Sequence, residues 1–252
     1  MIDRADIEAV LETDVITSLD LDMFDDADIA NIILQRSGVL YDVPRGGRII
    51  RQWVDHDPAP LHAVVAEKGH DITRRAIAML YLEYQDLRAY LAQGQIKRVA
   101  DIGCGYGFID LFISRDLGAD LLLIDIEESP NRDFGFRDEG AGYSDLQKAV
   151  TFLTANGVAA DKITAINPNK DDLMATAPVD LAISLLSCGF HYPLATYDTY
   201  FAENLKPGGM VVVDIRNRGA DGQADAIGRI GTVSEAYDLL KGTKRTLIRK
   251  TR

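Results

Sequence analysis

The sequence predicts a doubly wound α/β domain with a mostly parallel sheet, set behind a helical N-terminal lobe. Three observations carry this. From residue 97 onward, short apolar runs alternate with amphipathic ones, the rhythm of strands covered by helices on both faces. The first run ends in a glycine-rich turn, "DIGCGYG" (101–107). Residues 1–70 read as short helices and loops, broken at "YDVPRGGRI" and "HDPAPLH". The chain is thus read as a helical lobe over 1–70 and a ligand-binding domain over 71–252.

The regular pattern begins in "GHDITRRAIAMLYLEYQDLRAYLAQGQ", where Ile72, Ala76, Met79, Leu80, Leu87, Tyr90 and Leu91 share one helical face. Gly94 is expected to end that helix as its C′ residue. There follow a strand at 97–102, a helix at 108–116, a strand at 120–126 and a helix at 144–156. Strands at 162–167 and 179–186, a helix at 194–205 and a strand at 209–215 complete the alternation. "LKPGG" (205–209) reads as the turn that launches the last of these strands. "TVSEAYDLL" and "TKRTLIRKT" read as a closing antiparallel pair. One interval breaks the rhythm: seventeen residues, "EESPNRDFGFRDEGAGY" (127–143), separate the second strand from its helix. A loop of that length with Phe134 and Phe136 in it reads as a lid over a ligand, or else as a surface excursion.

Twenty-seven basic and thirty-nine acidic residues leave a net charge of −12. Residues 1–28 hold ten acids against Arg4 alone, which accounts for nine of those twelve charges. Such a balance argues against a nucleic-acid backbone as partner, since that needs clustered Lys and Arg. The six basic residues within 241–252 read as an exposed edge strand. No run reaches the ~20 apolar residues of a membrane span, and the N-terminus lacks a secretory pattern, so a cytoplasmic protein is expected. Two cysteines without motif spacing give neither a disulfide framework nor a zinc site. "VDHDPAP", with His56, reads as a turn rather than a metal site.

In a doubly wound sheet, ligands bind beyond the carboxyl ends of the strands, where strand order reverses. Glycines in the first turn let backbone approach a ligand, and the following helix turns its free N–H groups the same way. Asp125, in "LLLIDIE", stands 18 residues after Gly107, the range expected for an acid that accepts from ribose hydroxyls. Residues 101–125 therefore propose a nucleoside site. The spacing is G-x-G-x-G, with Phe108 where a dinucleotide fingerprint carries its third glycine, and no Gly-Lys-Ser/Thr phosphate loop is present.

"VADIGCGYG" resembles the first motif of the class I S-adenosylmethionine-dependent methyltransferases. "LLLIDIE" is similar to their second motif, "PVDLAISLLSCGFHYP" to the fourth-strand motif and "LKPGGMVVVDIR" to the entry of the fifth strand. The likeness spans about residues 96–250. It implies a Rossmann-like, seven-stranded sheet whose last strand inserts antiparallel between strands five and six, with S-adenosylmethionine as cofactor. Carried across by position, Asp101 would orient the loop or meet the methionine part. Gly103, Gly105 and Gly107 would pass beneath the cofactor, and Asp125 would take the ribose diol. Asp172, with Leu173 against the ring, would meet adenine, and Ser184 would face the adenosyl side. Asp172 could instead cap a turn.

His191, in "SCGFHYP", lies just beyond the fourth strand, where this fold places acceptor-side groups. It reads as a general base for a hydroxyl or amine, or as a loop-holding histidine beside Pro193. Ser187-Cys188-Gly189-Phe190 departs from the Asn/Asp-Pro-Pro-Tyr/Phe of amino-methylases, and Ser187 precedes Cys188 where cytosine-carbon methylases carry Pro. The expectation left is methyl transfer to the oxygen or nitrogen of a small-molecule acceptor. Arg48 and Arg51 would share a helical face and suit an anionic acceptor, unless they answer the lobe's own acids. A non-catalytic protein binding the same cofactor and a nicotinamide-dependent oxidoreductase remain as alternatives. Oligomeric state is left open, a dimer included.

Overall fold

The computed structural model describes residues 2–128, 143–217 and 222–251. Helices α1 (Arg4–Leu11), α2 (Asp14–Thr17), α3 (Asp26–Gln35), α4 (Gly46–Val54) and α5 (Ala59–Lys68) precede the long α6 (His70–Leu91). Then come β1 (Arg98–Ile102), α7 (Phe108–Leu117), β2 (Asp120–Ile124), α8 (Leu146–Ala155), β3 (Ile163–Ile166) and β4 (Val179–Ser184). The chain closes with α9 (Asp198–Glu203), β5 (Leu205–Arg216), α10 (Gln223–Ile230), β6 (Gly231–Leu240) and β7 (Thr243–Lys250).

Seven strands form one sheet in the order β3-β2-β1-β4-β5-β7-β6. The first five are parallel, and β7 runs antiparallel between β5 and β6. Strand order reverses between β1 and β4, so the carboxyl ends of those two strands flank the crevice where ligands bind in this architecture. The period-2 alternation of each strand divides the core in two. Val99, Leu121, Leu123, Leu181, Ile183 and Val212 face one side. Ala100, Ile102, Leu122, Ile124, Ala182 and Val213 face the other, toward α9 and α10. Side chains of the N-terminal region, among them Ile16, Phe24, Ile29 and Ile33, join the first of these cores.

Several lobe acids have defined structural work. Asp3 and Asp25 cap α1 and α3, each in a reciprocal capping box. Asp28 accepts from the Tyr106 hydroxyl at 2.9 Å and pairs with Lys148 of α8 at 2.8 Å. The Asn156 side chain brackets the Asp20 backbone with two hydrogen bonds of 3.0 and 2.9 Å. The lobe is thereby pinned to the glycine-rich turn and to α8.

Four sequence expectations need correction. The basic C-terminal run is not an edge: β7 is interior, and its Arg245 is only 1% exposed. Lys250 of the same strand donates to the Phe201, Ala202 and Leu205 carbonyls, as a cation near the end of α9 should. "LKPGG" belongs to β5, whose pairing jumps from Val179–Leu205 to Leu181–Met210, so Lys206–Gly209 bulge out of an otherwise continuous strand. Gly94 is not the C′ residue of α6, which ends at Leu91 with Ala92 as its cap. The helix expected over 194–205 opens as a 3₁₀ turn, Leu194–Tyr197, before the short α9.

A chain of buried ion pairs crosses the first core. Arg245 donates to both Asp214 oxygens from Nε and an Nη, each at 2.8 Å, and to Glu83 of α6 at 2.7 Å. The other Glu83 oxygen accepts from Arg36, at the end of α3. Burial would raise the Glu83 carboxyl, but the Arg36 and Arg245 charges outweigh it and hold it below its ordinary value. Removing one partner of such an array strands a buried charge. Arg245→Met is therefore expected to cost about 3–5 kcal/mol in urea unfolding. Arg88→Ala, which breaks an exposed pair with Asp116, should cost under ~1 kcal/mol. Equal losses would show that the buried array is not special.

Candidate functional site

β1 delivers its carboxyl end into the turn Gly103–Gly107. Gly103 and Gly105 have φ of +73° and +58°, a conformation that side chains with a Cβ resist. The N–H groups of Gly103 and Cys104 both bond to the Ile124 carbonyl, at 2.7 and 3.2 Å, which stacks the turn beside the tip of β2. Just past that tip, Asp125 accepts from Gly105 N–H at 3.0 Å with one oxygen and from Glu127 N–H at 2.9 Å with the other. Turn and acid are one unit, fixed by backbone donors.

This unit floors a cavity of about 350 Å³. Asp101, Gly103, Gly105 and Asp125 lie on the floor. Leu186, Ser187, His191, Tyr192 and Tyr197 form one wall, from the segment after β4. Ile32, Gln35 and Arg36 of the α3 region, with Ala76 and Leu80 of α6, form the other. The chain itself packs closely on the glycines. A Cβ on Gly103 would lie 1.9 Å from Ser187 Oγ, and one on Gly105 would lie 2.8 Å from Gln35 Oε1. Gln35 also donates to the Tyr143 carbonyl, so α3 reaches across the turn to the start of α8.

The wall after β4 is held from behind. Leu186 adopts φ +51°, rare for a branched residue, and its N–H donates to Asp214 Oδ2 at 2.9 Å. His191 N–H bonds to the Ser187 carbonyl at 2.8 Å, and its ring meets Phe190 edge-on at 4.8 Å. The Ser187 and Tyr192 hydroxyls are 3.2 Å apart. Burial raises the Tyr192 and Tyr197 phenols, which stay protonated as donors.

Of the residues the sequence proposed, Asp101, Gly103, Gly105, Asp125 and His191 line this cavity together. The others are elsewhere. A Cβ on Gly107 would point at Leu153 and Ala149 of α8, so this glycine serves helix packing and the α7 N-cap, not the cavity. Ser184 is fully buried; its hydroxyl donates to the Ile102 carbonyl at 2.6 Å and accepts from Cys188 N–H at 2.9 Å, stitching β1 to the turn after β4. Asp172 is exposed and caps a 3₁₀ turn through Met174 N–H at 3.0 Å, while Leu173 packs on the core beneath the sheet's other face. Asn169 is the side chain after β3 that does reach the cavity. Arg48 and Arg51 are exposed on α4 and contribute nothing to its lining; the guanidinium there is Arg36. Phe134 and Phe136 lie outside the described residues. Among the described residues, no group of three or more His, Cys, Asp or Glu is arranged to hold a metal, and no helix is long and apolar enough to cross a membrane.

Two features escaped the sequence reading. Gln35 and Arg36 enter from a lobe whose docking no local pattern reports. Asp110 left a signal: it is the acid inside the apolar run Phe108–Ile113. It lies in the first turn of α7, buried beside Asp101, and neither of its carboxyl oxygens has a hydrogen-bond partner among the described residues. Burial and the nearby Asp110 charge push Asp101 well up, and burial pushes Asp110 up to about 6. Both carboxyls beneath the glycine turn thus hold protons more tightly than free carboxylates do.

No protein-family model matches the sequence, and no curated protein matches it. Solved structures do match. The chain is similar to a ribosomal protein L11 methylase from Lactobacillus delbrueckii subsp. bulgaricus, at 19% identity over 69% of this chain and 78% of that one, TM-score 0.47. It is similar to an RNA methyltransferase from Salinibacter ruber in complex with S-adenosyl-L-homocysteine, at 17% identity over 67% and 92%, TM-score 0.41. It is also similar to the pyocyanin biosynthetic protein PhzM, at 14% identity over 75% and 61%, TM-score 0.49.

The raised Asp110 carboxyl has a consequence for stability. An acid raised from about 4 when unfolded to about 6 when folded binds more protons in the native state. Its contribution is then most favourable below pH ~4 and is lost as pH rises toward ~6. Asp110→Asn keeps the shape and removes the titrating group. At pH 7 it should melt roughly 2–8 °C above the wild type, and the gap should close at pH 4. A variant less stable than wild type at pH 7 would contradict the raised Asp110 carboxyl.

Proposed function

We propose that the chain is a class I S-adenosylmethionine-dependent methyltransferase acting on the oxygen or nitrogen of a small-molecule acceptor. One observation carries the reading. Asp125, at the tip of β2, and the positive-φ glycines of the β1 turn line a single cavity at the reversal point of a β3-β2-β1-β4-β5-β7-β6 sheet. A seven-stranded sheet with its last strand inserted antiparallel between β5 and β6 is what the sequence resemblance implies.

The residues present fit the cofactor. A carboxylate has about four acceptor positions, so Asp125 can take a ribose diol while keeping its two backbone donors. Asp125 on the floor suits a cationic sulfonium, whereas a dinucleotide's pyrophosphate would set negative charge against it. Phe108 in place of the third glycine argues the same way. Gln35 bounds the space over Gly105 and is the side chain that must lie beside, or turn away from, the bound ligand.

When bound, the cofactor supplies an electrophilic methyl group. This chain's own residues do the rest. The floor and the wall after β4 hold acceptor and methyl at near-attack separation, the larger part of the acceleration. His191 takes the proton that an attacking hydroxyl or amine must lose. Tyr192 and Tyr197, kept as protonated donors, orient the acceptor and exclude water. A small acceptor matches the enclosed lining, and the chain's net charge of −12 disfavours a nucleic-acid substrate.

Calorimetric titration of the chain with S-adenosylmethionine, S-adenosylhomocysteine and NAD tests the cofactor. The first two should bind and NAD should not; the reverse would replace this reading with an oxidoreductase. Asp125→Asn should weaken binding by roughly 1.5–3 kcal/mol. With a turnover assay from methyl-labelled cofactor and a metabolite mixture, His191→Ala should lower the rate by about 10²–10⁴ with cofactor affinity intact. Activity within a few-fold of wild type would make His191 a loop-holding residue. Cofactor binding without transfer to any acceptor would favour a binding protein of the same fold.

A further inference from the structure

The buried ion-pair chain alternates in sign from one end to the other: Asp214, Arg245, Glu83, Arg36. Asp214 is met by two nitrogens of Arg245, and Arg245 sits between two acids. Glu83 is shared by two guanidiniums. Arg36 is the terminal member. One of its nitrogens faces Glu83, and its side chain is only 12% exposed. It is the one Lys or Arg on the cavity wall among the described residues, and its other guanidinium nitrogens have no hydrogen-bond partner among them. A guanidinium held by one edge presents its remaining N–H groups as a fork, the shape that matches a carboxylate. Its wall neighbours Ile32, Ala76, Leu80 and Leu185 are apolar, so an anion there meets little competing water.

We infer that Arg36 is a carboxylate-binding residue of the cavity, the point at which the alternating charge chain is completed by a ligand. The inference rests on reading the cavity as an adenosyl-sulfonium site, and it names the chemistry of what else that site holds. Two sources can bring the carboxylate: the amino-acid part of the cofactor, or an apolar carboxylic acid as acceptor. Among the described residues no other Lys or Arg lines the cavity to supply this contact. Glu83 fixes Arg36, and through Arg245 and Asp214 the same chain holds Leu186 N–H. Carboxylate anchor and His191 wall are thus set in one register.

The test is calorimetry on the full chain, wild type and Arg36→Gln, with Arg36→Lys as a second variant that keeps a charge on Glu83. Three probes are titrated: S-adenosylhomocysteine, 5′-methylthioadenosine (a thioether nucleoside without a carboxylate), and benzoate with and without saturating S-adenosylhomocysteine. Arg36→Gln should leave methylthioadenosine within about twofold, which also certifies the folded site. It should weaken one of the carboxylate probes by roughly 10- to 100-fold, with Arg36→Lys in between. Loss on S-adenosylhomocysteine assigns the contact to the cofactor, and loss on benzoate assigns it to the acceptor. Unchanged affinity for both carboxylates overturns the inference. If the wild type binds neither nucleoside, the cofactor reading fails on its own, and the benzoate arm still decides Arg36: binding that Arg36→Gln abolishes upholds it, and no difference overturns it.

Discussion

The Arg245 guanidinium, buried between Asp214 and Glu83, is the interaction on which the arrangement of the molecule turns. Strand β7 enters the sheet last, and it carries this cation into a core that would otherwise reject it. Asp214 stands directly across the β5–β7 ladder, and Glu83 comes from α6 on the covering layer. A buried array of this kind is costly to form and more costly to break, so it specifies geometry rather than supplying net stability. It sets three things at once: the depth of β7, the seat of α6, and through Asp214 the backbone of Leu186 at the start of the His191 wall.

The opposite side of the cavity follows a different rule. There the positions are fixed by backbone donors, with Ile124 O and Asp125 gathering the N–H groups of the glycine turn. Close approach is achieved by omission of side chains at Gly103 and Gly105, and the freed space is partly taken by Ser187 and Gln35. The floor is therefore rigid, while its two covers come from separate elements, one after β4 and one from the lobe. Beneath it, burial raises the Asp101 and Asp110 carboxyls, which limits negative charge there.

Most of the sheet was legible in the sequence because each strand carries its own apolar run; β1, β2 and β4 lie within the runs that announced them. The β1 turn and Asp125 were legible for a related reason, since residue type, order and spacing all belong to one local unit. What was hidden depends on partners far along the chain. "TKRTLIRKT" looks solvated until Asp214 and Glu83 are known to face Arg245, and a residue 162 positions away leaves no local trace. Arg36 is equally silent, because its role depends on how α3 docks. Asp172 and Ser184 were carried across by position, yet local chemistry claimed both: an exposed acid before a tight turn caps it, and a buried hydroxyl beside a strand end bonds to the nearest carbonyl. Gly107 had the right type and spacing but was needed for contact with α8.

The most direct test of the account is a crystal structure of the chain with S-adenosylhomocysteine. The account places the ribose hydroxyls within hydrogen-bond reach, about 2.6–3.2 Å, of Asp125, with the sulfur between the glycine turn and His191. Density for the ligand elsewhere on the molecule, or in the cavity with its ribose turned away from Asp125, would contradict it.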